Sequence, residues 1–234
     1  MLYIIGLGLE VKGISLRGKK ILKSADIKKI YLENYTVDFP YTVKELEKEL
    51  KIKTIAANRV LVESEKLVEM AKNEDVALLV YGSPLMATTH ISLINACKIK
   101  KVKYKVLHAG SIFDAVGDSG LSFYKFGKTT SLPKWEKNFE PKSFIDVIKE
   151  NKSIKAHTLL LVDIGLKFEE CVKQIMETKF DFGKVIVCSR LGIKSKFYYD
   201  NLENIDAGKV KSPYCIIIPG NLSNHEKKAL ENLI

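Results

Sequence analysis

Short apolar runs alternate with amphipathic segments along the first half of the chain, and this alternation predicts strands that are each followed by a helix. The predicted strands are Leu2–Ile5, Lys28–Tyr35, Ile52–Ala57, Val76–Val80 and Lys103–His108. Helices are predicted over residues 15–23, 42–50, 63–71 and 90–98, and the second opens on a Thr42–Glu45 capping box. Regular alternation of this kind favours a mostly parallel sheet.

The central stretch, residues 76–90, organises this half of the chain. Val76–Val80 is an apolar run that suits a strand buried on both faces, and Gly82 and Pro84 end it. Thr88 and Thr89 are predicted N-caps of the following helix. An open α/β sheet presents ligand sites at the carboxyl ends of its strands, so this corner is either a binding loop or an ordinary β-to-α turn.

The second half of the chain has a less regular pattern. Predicted helices begin at residues 143, 168 and 223, and predicted strands are His157–Ile164, Val185–Arg190, Phe197–Tyr199 and Tyr214–Ile218. The aromatic and basic segment 123–133 is either an RNA-contacting strand or an amphipathic strand, and we favour the latter. The irregular spacing predicts a mixed sheet and therefore two α/β domains, residues 1–110 and 111–234.

Composition narrows the class of protein. The apolar fraction of 46% and the charged fraction of 28% are typical of a soluble globular protein. No apolar run reaches the length of a membrane span, and the start lacks the layout of a secretory signal, so we expect a cytoplasmic protein. The four cysteines are scattered without a CxxC spacing, which speaks against zinc or a disulfide framework.

The formal net charge of +10 allows an acidic partner, such as a ribosome or a nucleic acid. Acidic residues are interleaved with most of the lysines, so a solvated lysine-rich surface explains the charge better. The densest basic cluster, Lys98–Lys105, is either a docking surface or the solvated end of a helix with an edge strand, and we favour the second interpretation.

Glycine-containing loops follow two further predicted strands, at Gly6–Leu9 and at Gly110–Ser111. The first lacks the third glycine and the acidic residue of a dinucleotide fingerprint. Three histidines, His90, His108 and His157, border apolar elements and are interpreted as hydrogen-bonded structural residues, whereas His225 is expected at the surface. We therefore predict no catalytic acid or base.

Several segments together resemble one family. They are Tyr3–Leu9, Gly82–His90, His108–Ile112 with Ala115–Gly117, Tyr124–Lys128, Asp146–Asn151, His157–Leu160 with Asp163–Ile164, and Ile218–Gly220 with Leu222. In this order they resemble the archaeal diphthine synthases, within the tetrapyrrole-methylase-like class of S-adenosylmethionine-dependent methyltransferases. The resemblance implies two α/β domains with the cofactor in the cleft between them, a homodimer, and methylation of the modified histidine of translation elongation factor 2 in diphthamide biosynthesis.

The resemblance also implies the positions that contact S-adenosylmethionine and its product S-adenosylhomocysteine. These are Leu9, Ser83, Met86, Ser111, Ile112, Val162, Leu191 and Tyr214. The family has Gly-Asp-Pro in the central loop, where this chain has Ser83 in place of the aspartate. A serine there still accepts a hydrogen bond but carries no charge, which bears on cofactor affinity. The family also tends to have histidine where this chain has Ser223.

Two other functions remain open from the sequence. One is a related methylase that acts on a small tetrapyrrole, and the other is a binding module without catalysis on ribosomal RNA. Transfer of an activated methyl group needs alignment of the acceptor and exclusion of water more than it needs a triad or a metal. The lack of a predicted catalytic base is therefore compatible with the methyltransferase hypothesis.

Overall fold

The computed structural model describes residues 1–24 and 26–233. It divides into two compact units, Met1–Asp114 and Ala115–Ile234. The sequence prediction placed its division between residues 110 and 111. Within the described residues, no helix is long and apolar enough to cross a membrane.

The first unit contains a parallel sheet of five strands among its described residues. In chain order the strands are β1 (Leu2–Gly6), β2 (Ile27–Glu33), β3 (Ile55–Ala57), β4 (Asp75–Val80) and β5 (Tyr104–Leu107). Their spatial order is β3-β2-β4-β1-β5. The helices are α1 (Leu16–Leu22), α2 (Val43–Leu50), α3 (Arg59–Glu63), α4 (Lys66–Met70), α5 (Ile91–Ile99) and α6 (Ile112–Ala115). The predicted parallel sheet is confirmed.

Apolar cores cover both faces of this sheet. Alternate residues of β4 belong to different cores, since Val76 and Leu78 pack with the α4 and α5 side while Ala77 packs with the α1 and α2 side. The side chains of a strand alternate between the faces of a sheet, so this division means that β4 is buried on both sides. The sequence of β4 is a continuous apolar run because both faces of the strand are buried.

Helix starts in the first unit agree with the sequence where the capping side chain and the N–H that it binds are three residues apart. The Ser15 side chain accepts a hydrogen bond from the Gly18 N–H, and Thr42 forms the predicted capping box with Glu45. The single helix predicted over 63–71 is wrong, because a left-handed residue, Glu65 (φ 59°), separates α3 from α4.

The predicted N-caps of α5 are also wrong, since the N-cap is His90. The Thr88 hydroxyl instead donates to the Pro84 carbonyl, and the Thr89 hydroxyl faces the Glu63 carboxylate at 3.4 Å. Both threonines therefore bind groups outside the helix that they were predicted to cap.

The second unit contains a mixed sheet, as predicted. Its strands are β6 (Thr130–Leu132), β7 (Thr158–Val162), β8 (Val185–Ser189), β9 (Lys196–Asp200) and β10 (Tyr214–Ile218), in the order β6-β7-β10-β8-β9. The β6–β7 pair is parallel and the others are antiparallel. The helices are α7 (Ser143–Ser153), α8 (Phe168–Glu177) and α9 (Asn224–Glu231). The strand expected over 123–133 forms only at β6, after a 3₁₀ turn at Phe123–Lys125.

A buried carboxylate ties α9 to the rest of the second unit. Glu226 is 2% exposed and completes a capping box with Ser223. The same carboxylate accepts hydrogen bonds from the Ser122 N–H at 3.0 Å, from Lys125 Nζ at 2.5 Å and from His157 Nε2 at 3.0 Å. The terminal helix is thus held by groups about 70 to 100 residues away in sequence.

Candidate active site

The loops that follow β1 and β4 are joined by their backbones. The Gly8 N–H donates to the Gly82 carbonyl at 3.1 Å, and the Gly82 N–H donates to the Gly8 carbonyl at 3.0 Å. Both glycines have left-handed backbone conformations, with φ values of 72° and 70°. Residues that carry a side chain rarely adopt these φ values, so glycine at both positions makes this bridge possible.

Gly6 lies where the first strand passes beneath the loop after β4. A Cβ atom at this position would lie 2.6 Å from the Gly82 carbonyl oxygen and 3.0 Å from the Ala109 Cβ. Because neither neighbour is the end of a flexible side chain, the close approach of the three loops requires glycine here.

The loop after β5 reaches the same point. A Cβ atom on Gly82 would lie 3.9 Å from the Gly110 carbonyl oxygen and 4.0 Å from the Ser111 Cα and from the Leu9 Cδ2. The structure therefore brings Leu9, Ser83 and Ser111 to one edge of the first sheet, around Gly82. This edge contains the carboxyl ends of three adjacent parallel strands, where open α/β sheets bind ligands.

Ser83 and Met86 begin and end a turn in the central loop. The Met86 N–H donates to the Ser83 carbonyl at 3.1 Å. The Ser83 side chain is buried and its Oγ lies 3.4 Å from Nδ1 of His108, whereas the Met86 side chain is 51% exposed. His108 is exposed, and its ring lies against the buried Ser83 side chain at the candidate site.

The Ser111–Ile112 pair is ordered by a residue that we did not single out from the sequence, Asp114. One carboxylate oxygen of Asp114 accepts from the Ser111 N–H at 2.7 Å and from the Ser111 hydroxyl at 3.0 Å. The Ser111 Oγ in turn accepts from the Phe113 N–H at 3.2 Å. A serine followed three residues later by an acid is a capping-box pattern, so the sequence contained this signal.

Tyr81 is a second residue that the sequence did not single out. Its hydroxyl donates to the Leu9 carbonyl at 2.8 Å, which gives a further link between the loops after β4 and β1. Burial raises the pKa of Tyr81, so the hydroxyl remains a donor. The ring packs at 5.4 Å from Phe39 and 6.2 Å from Tyr41, between their ring centroids.

The other three predicted cofactor positions lie at one edge of the second sheet. Val162 ends β7, Leu191 follows the end of β8, and Tyr214 begins β10, which runs antiparallel to both strands. Leu191 and Tyr214 are buried, and the Tyr214 hydroxyl donates to the Leu166 carbonyl at 3.0 Å. Sheet topology thus groups these three positions within their own unit, and their cofactor role stays a prediction.

Two of the predicted structural histidines are confirmed as buried and hydrogen-bonded. His90 lies between Glu33 and the Pro84 carbonyl, and His157 lies between Glu226 and the Gly220 N–H. His225 is exposed, as expected. Among residues 1–24 and 26–233, no three His, Cys, Asp or Glu side chains form a group that could hold a metal ion.

Comparisons with known proteins match the chain along its length. A family model described as Tetrapyrrole (Corrin/Porphyrin) Methylases matches residues 1–206. Diphthine synthase of Methanococcus aeolicus is 36% identical over 255 aligned positions, which cover 100% of this chain and 98% of that protein. Diphthine methyl ester synthase of Schizosaccharomyces pombe is 44% identical over 170 residues, which cover 71% of this chain and 59% of that protein. A crystal structure of diphthine synthase has a TM-score of 0.89 at 30% identity, covering 99% of this chain and 95% of that one.

Proposed function

The chain belongs to the tetrapyrrole methylase family and, within it, to the diphthine synthases, and from this premise we propose that it methylates the modified histidine of elongation factor 2 with S-adenosylmethionine. The family and the named relatives support a methyltransferase of diphthamide biosynthesis. The observation in the structure that supports the proposal is the convergence of the Leu9, Ser83 and Ser111 loops around Gly82.

The residues of this edge fit S-adenosylmethionine. A Cβ atom on Gly82 would be in van der Waals contact with Gly110, Ser111 and Leu9 without a clash, and a Cβ atom on Gly110 would meet nothing within 4 Å. A ligand can therefore approach the backbone of both glycines closely. The Leu9 and Met86 side chains offer apolar contacts, and the Ser83 hydroxyl and loop backbone offer hydrogen bonds to a polar portion.

S-adenosylmethionine, when bound, supplies a methyl group that its sulfonium already activates. The chain's own contribution is then to bind, to orient the acceptor and to exclude water, which together can account for much of a rate enhancement. We propose that the residues which bind the cofactor are those that the resemblance implies, Leu9, Ser83, Met86, Ser111, Ile112, Val162, Leu191 and Tyr214.

Binding of the cofactor is tested by calorimetry with S-adenosylmethionine and S-adenosylhomocysteine, comparing the native chain with Gly110→Leu. The added side chain enters open space, so the variant should fold normally and bind at least about tenfold more weakly. Gly117→Leu is the matched control, because a Cβ atom on Gly117 also meets nothing within 4 Å. Unchanged affinity in Gly110→Leu would remove this edge from the cofactor site, and binding of neither ligand by the native chain would overturn the enzymatic proposal.

Transfer is tested with the purified chain, a methyl-labelled donor and elongation factor 2 that carries the unmethylated intermediate. Label should enter the modified histidine of the intact protein. The relatives are named for two products, diphthine and its methyl ester, and alkaline treatment removes an ester methyl while leaving N-methyl groups. Mass spectrometry before and after this treatment therefore identifies the product. Equal labelling of the free modified amino acid would discard a protein acceptor.

We also propose a homodimer that acts in the cytoplasm, where elongation factor 2 works. Light scattering tests the oligomeric state, and a monomer at assay concentration would contradict it.

The Lys98–Lys105 cluster is a poor docking surface at its centre, because Lys100 is paired with Glu65 at 2.8 Å and with Glu69 at 2.5 Å. Lys98, Lys101 and Lys103 are exposed and are the members that remain for an acidic partner.

A further inference from the structure

A buried histidine supports the central loop from below. The Nδ1 atom of His90 lies 2.9 Å from the Pro84 carbonyl oxygen, which also accepts the Thr88 hydroxyl at 2.6 Å. A carbonyl oxygen can only accept a hydrogen bond, so Nδ1 of His90 must carry a proton. Pro84 is the second residue of the Ser83–Met86 turn, and His90 therefore binds the backbone of that turn directly.

The other ring nitrogen of His90 faces a carboxylate. Nε2 lies 2.5 Å from Oε2 of Glu33, and both side chains are 1% exposed. The second oxygen of Glu33 accepts the Thr36 hydroxyl. With Nδ1 already protonated, a neutral ring would bring the lone pair of Nε2 close to a Glu33 carboxylate, which is repulsive. A second proton, on Nε2 or on Oε2, removes this repulsion.

Other charged and titratable groups surround the pair. Glu63, on α3, faces the Thr89 hydroxyl at 3.4 Å, and Nε of Arg59 lies 4.0 Å from the Glu63 carboxylate. Burial and the carboxylates of Glu33 and Glu63 raise the pKa of Tyr35 to about 12, and the Arg59 guanidinium lies over its ring at 5.4 Å. Tyr35 is therefore neutral at any pH near 7, and it adds no charge that could replace the second proton.

The pKa of His90 is shifted in the direction that this geometry requires. Burial by itself would lower the pKa, but the hydrogen bond and the charge of Glu33 raise it. The Pro84 carbonyl and Glu63 act in the same direction, and the net shift is upward from the ordinary histidine value. This direction agrees with a second proton on His90, which would make the ring an imidazolium beside a carboxylate.

We propose that the buried Glu33–His90 pair is a positioning device for the cofactor, in which a doubly protonated His90 holds the Ser83–Met86 turn through the Pro84 carbonyl. The proposal rests on the proposed function, since it assigns that turn to the cofactor. Loss of the second proton at alkaline pH leaves a lone pair against the Glu33 carboxylate. His90 then shifts from its place, and the turn loses its support.

The protonation state is tested without any ligand. Nitrogen NMR of the histidine rings should show both nitrogens of His90 protonated at pH 7.5 in the native chain. In Glu33→Gln the amide can donate to a neutral Nε2, so the ring should carry one proton, on Nδ1, at the same pH. A neutral His90 ring in the native chain at pH 7.5 would overturn the proposal.

The positioning role is tested by calorimetry with S-adenosylhomocysteine between pH 7 and pH 10. The amino group of the ligand titrates in this range, so the informative quantity is the difference between the native chain and Glu33→Gln. We expect the affinity of the native chain to fall about tenfold more than that of the variant. An equal fall in affinity with pH in the native chain and in Glu33→Gln would overturn the positioning role.

His225→Gln is the control for the loss of a histidine, because His225 is exposed, and its curve should follow that of the native chain. Failure of every variant and of the native chain to bind at any pH would contradict the proposed function. The ring-nitrogen measurement would still decide the protonation state of His90, so the two failures are distinguishable.

Discussion

Each unit of the protein buries one histidine against one glutamate, and the two pairs are organised in opposite ways. In the first unit Nδ1 of His90 faces a carbonyl and must donate to it, and in our proposal Nε2, which faces Glu33, carries a second proton. In the second unit Nδ1 of His157 accepts the Gly220 N–H at 2.8 Å, which leaves the single proton of a neutral ring on Nε2, where Glu226 accepts it. The partner of the nitrogen that does not face the carboxylate decides the charge of the ring.

The shifts in pKa of the two histidines follow from this difference. Burial and the charge of Lys125 lower the pKa of His157 more than Glu226 raises it. Burial would raise the pKa of Glu226, but Lys125 and the N–H groups of Ser223 and Ser122 lower it further. The second pair is therefore a neutral histidine beside a carboxylate that has its own cation, whereas His90 itself is the cation of the first pair.

Among the variants of the two pairs, Glu226→Ala should have the largest effect on stability. Removing this carboxylate leaves the Lys125 ammonium, the His157 Nε2–H and two backbone donors without their acceptor. We expect the free energy of unfolding to fall by about 3–5 kcal/mol, as for other buried ion pairs that lose one partner. Denaturant unfolding measures the loss. Glu231→Ala is the control on the same helix, where an exposed side chain should change stability by less than about 0.5 kcal/mol.

His90→Leu breaks the first pair and should have the next largest effect. The Glu33 carboxyl keeps the Thr36 hydroxyl but loses its cation, and we expect a loss of about 2–4 kcal/mol near pH 8. Urea unfolding at pH 8 measures the loss, and a loss of less than about 1 kcal/mol would contradict a charged buried pair.

The contributions of His157 and His90 to stability should change with pH in opposite directions. The folded-state pKa of His157 is lowered, so its contribution is present above the unfolded value of about 6.5 and is lost as the pH falls below it. The folded-state pKa of His90 is raised, so its contribution is present below about 6.5 and is lost as the pH rises through the folded value. Each proton gives a slope of at most about 1.4 kcal/mol per pH unit.

Two variants separate these slopes in thermal unfolding. His157→Gln should flatten the acid side of the stability profile between about pH 6.5 and 5. Glu33→Gln should flatten the alkaline side but not the acid side, because burial then lowers the pKa of His90 without the opposing charge of Glu33. If Glu33→Gln flattened the acid side instead, the assignment of protons to the two rings would be reversed.

The smallest expected effect belongs to Lys125→Gln, which makes the second pair more like the first. Lys125 is 31% exposed, so solvent screens its ion pair and we expect a loss of about 1 kcal/mol. Removing the charge of Lys125 also removes its repulsion of the imidazolium form of His157, so the pKa of His157 should rise. A proton NMR titration of the ring measures this shift, and a fall in the pKa would contradict the role of Lys125.

Local signals in the sequence predicted much of this fold. The capping boxes at Thr42–Glu45 and Ser223–Glu226 and the bounds of β10 are as expected, because each depends on residues within a few positions of one another. The convergence of the loops after β1, β4 and β5 follows from a parallel sheet. The resemblance added the positions of the cofactor residues, which no periodicity contains.

What the sequence did not predict depends on distant partners. Glu226 was visible only as the acid of a capping box, although its other partners are 69 to 104 residues away. Glu33 drew no attention, because nothing in its neighbourhood in the sequence indicates a contact with His90, 57 positions away. The Thr89 cap failed for the same reason, since the distant Glu63 accepts its hydroxyl, whereas the Thr88 hydroxyl is taken by the carbonyl of the nearby Pro84.

The backbone bridge between Gly8 and Gly82 has a consequence for engineering. Two main-chain hydrogen bonds hold the loops after β1 and β4 together, so this frame does not depend on the neighbouring side chains. A library that randomises positions 9, 83 and 86 should therefore retain a high proportion of folded members. Selection from such a library for donors that carry groups larger than methyl would vary the lining of the site on a constant scaffold.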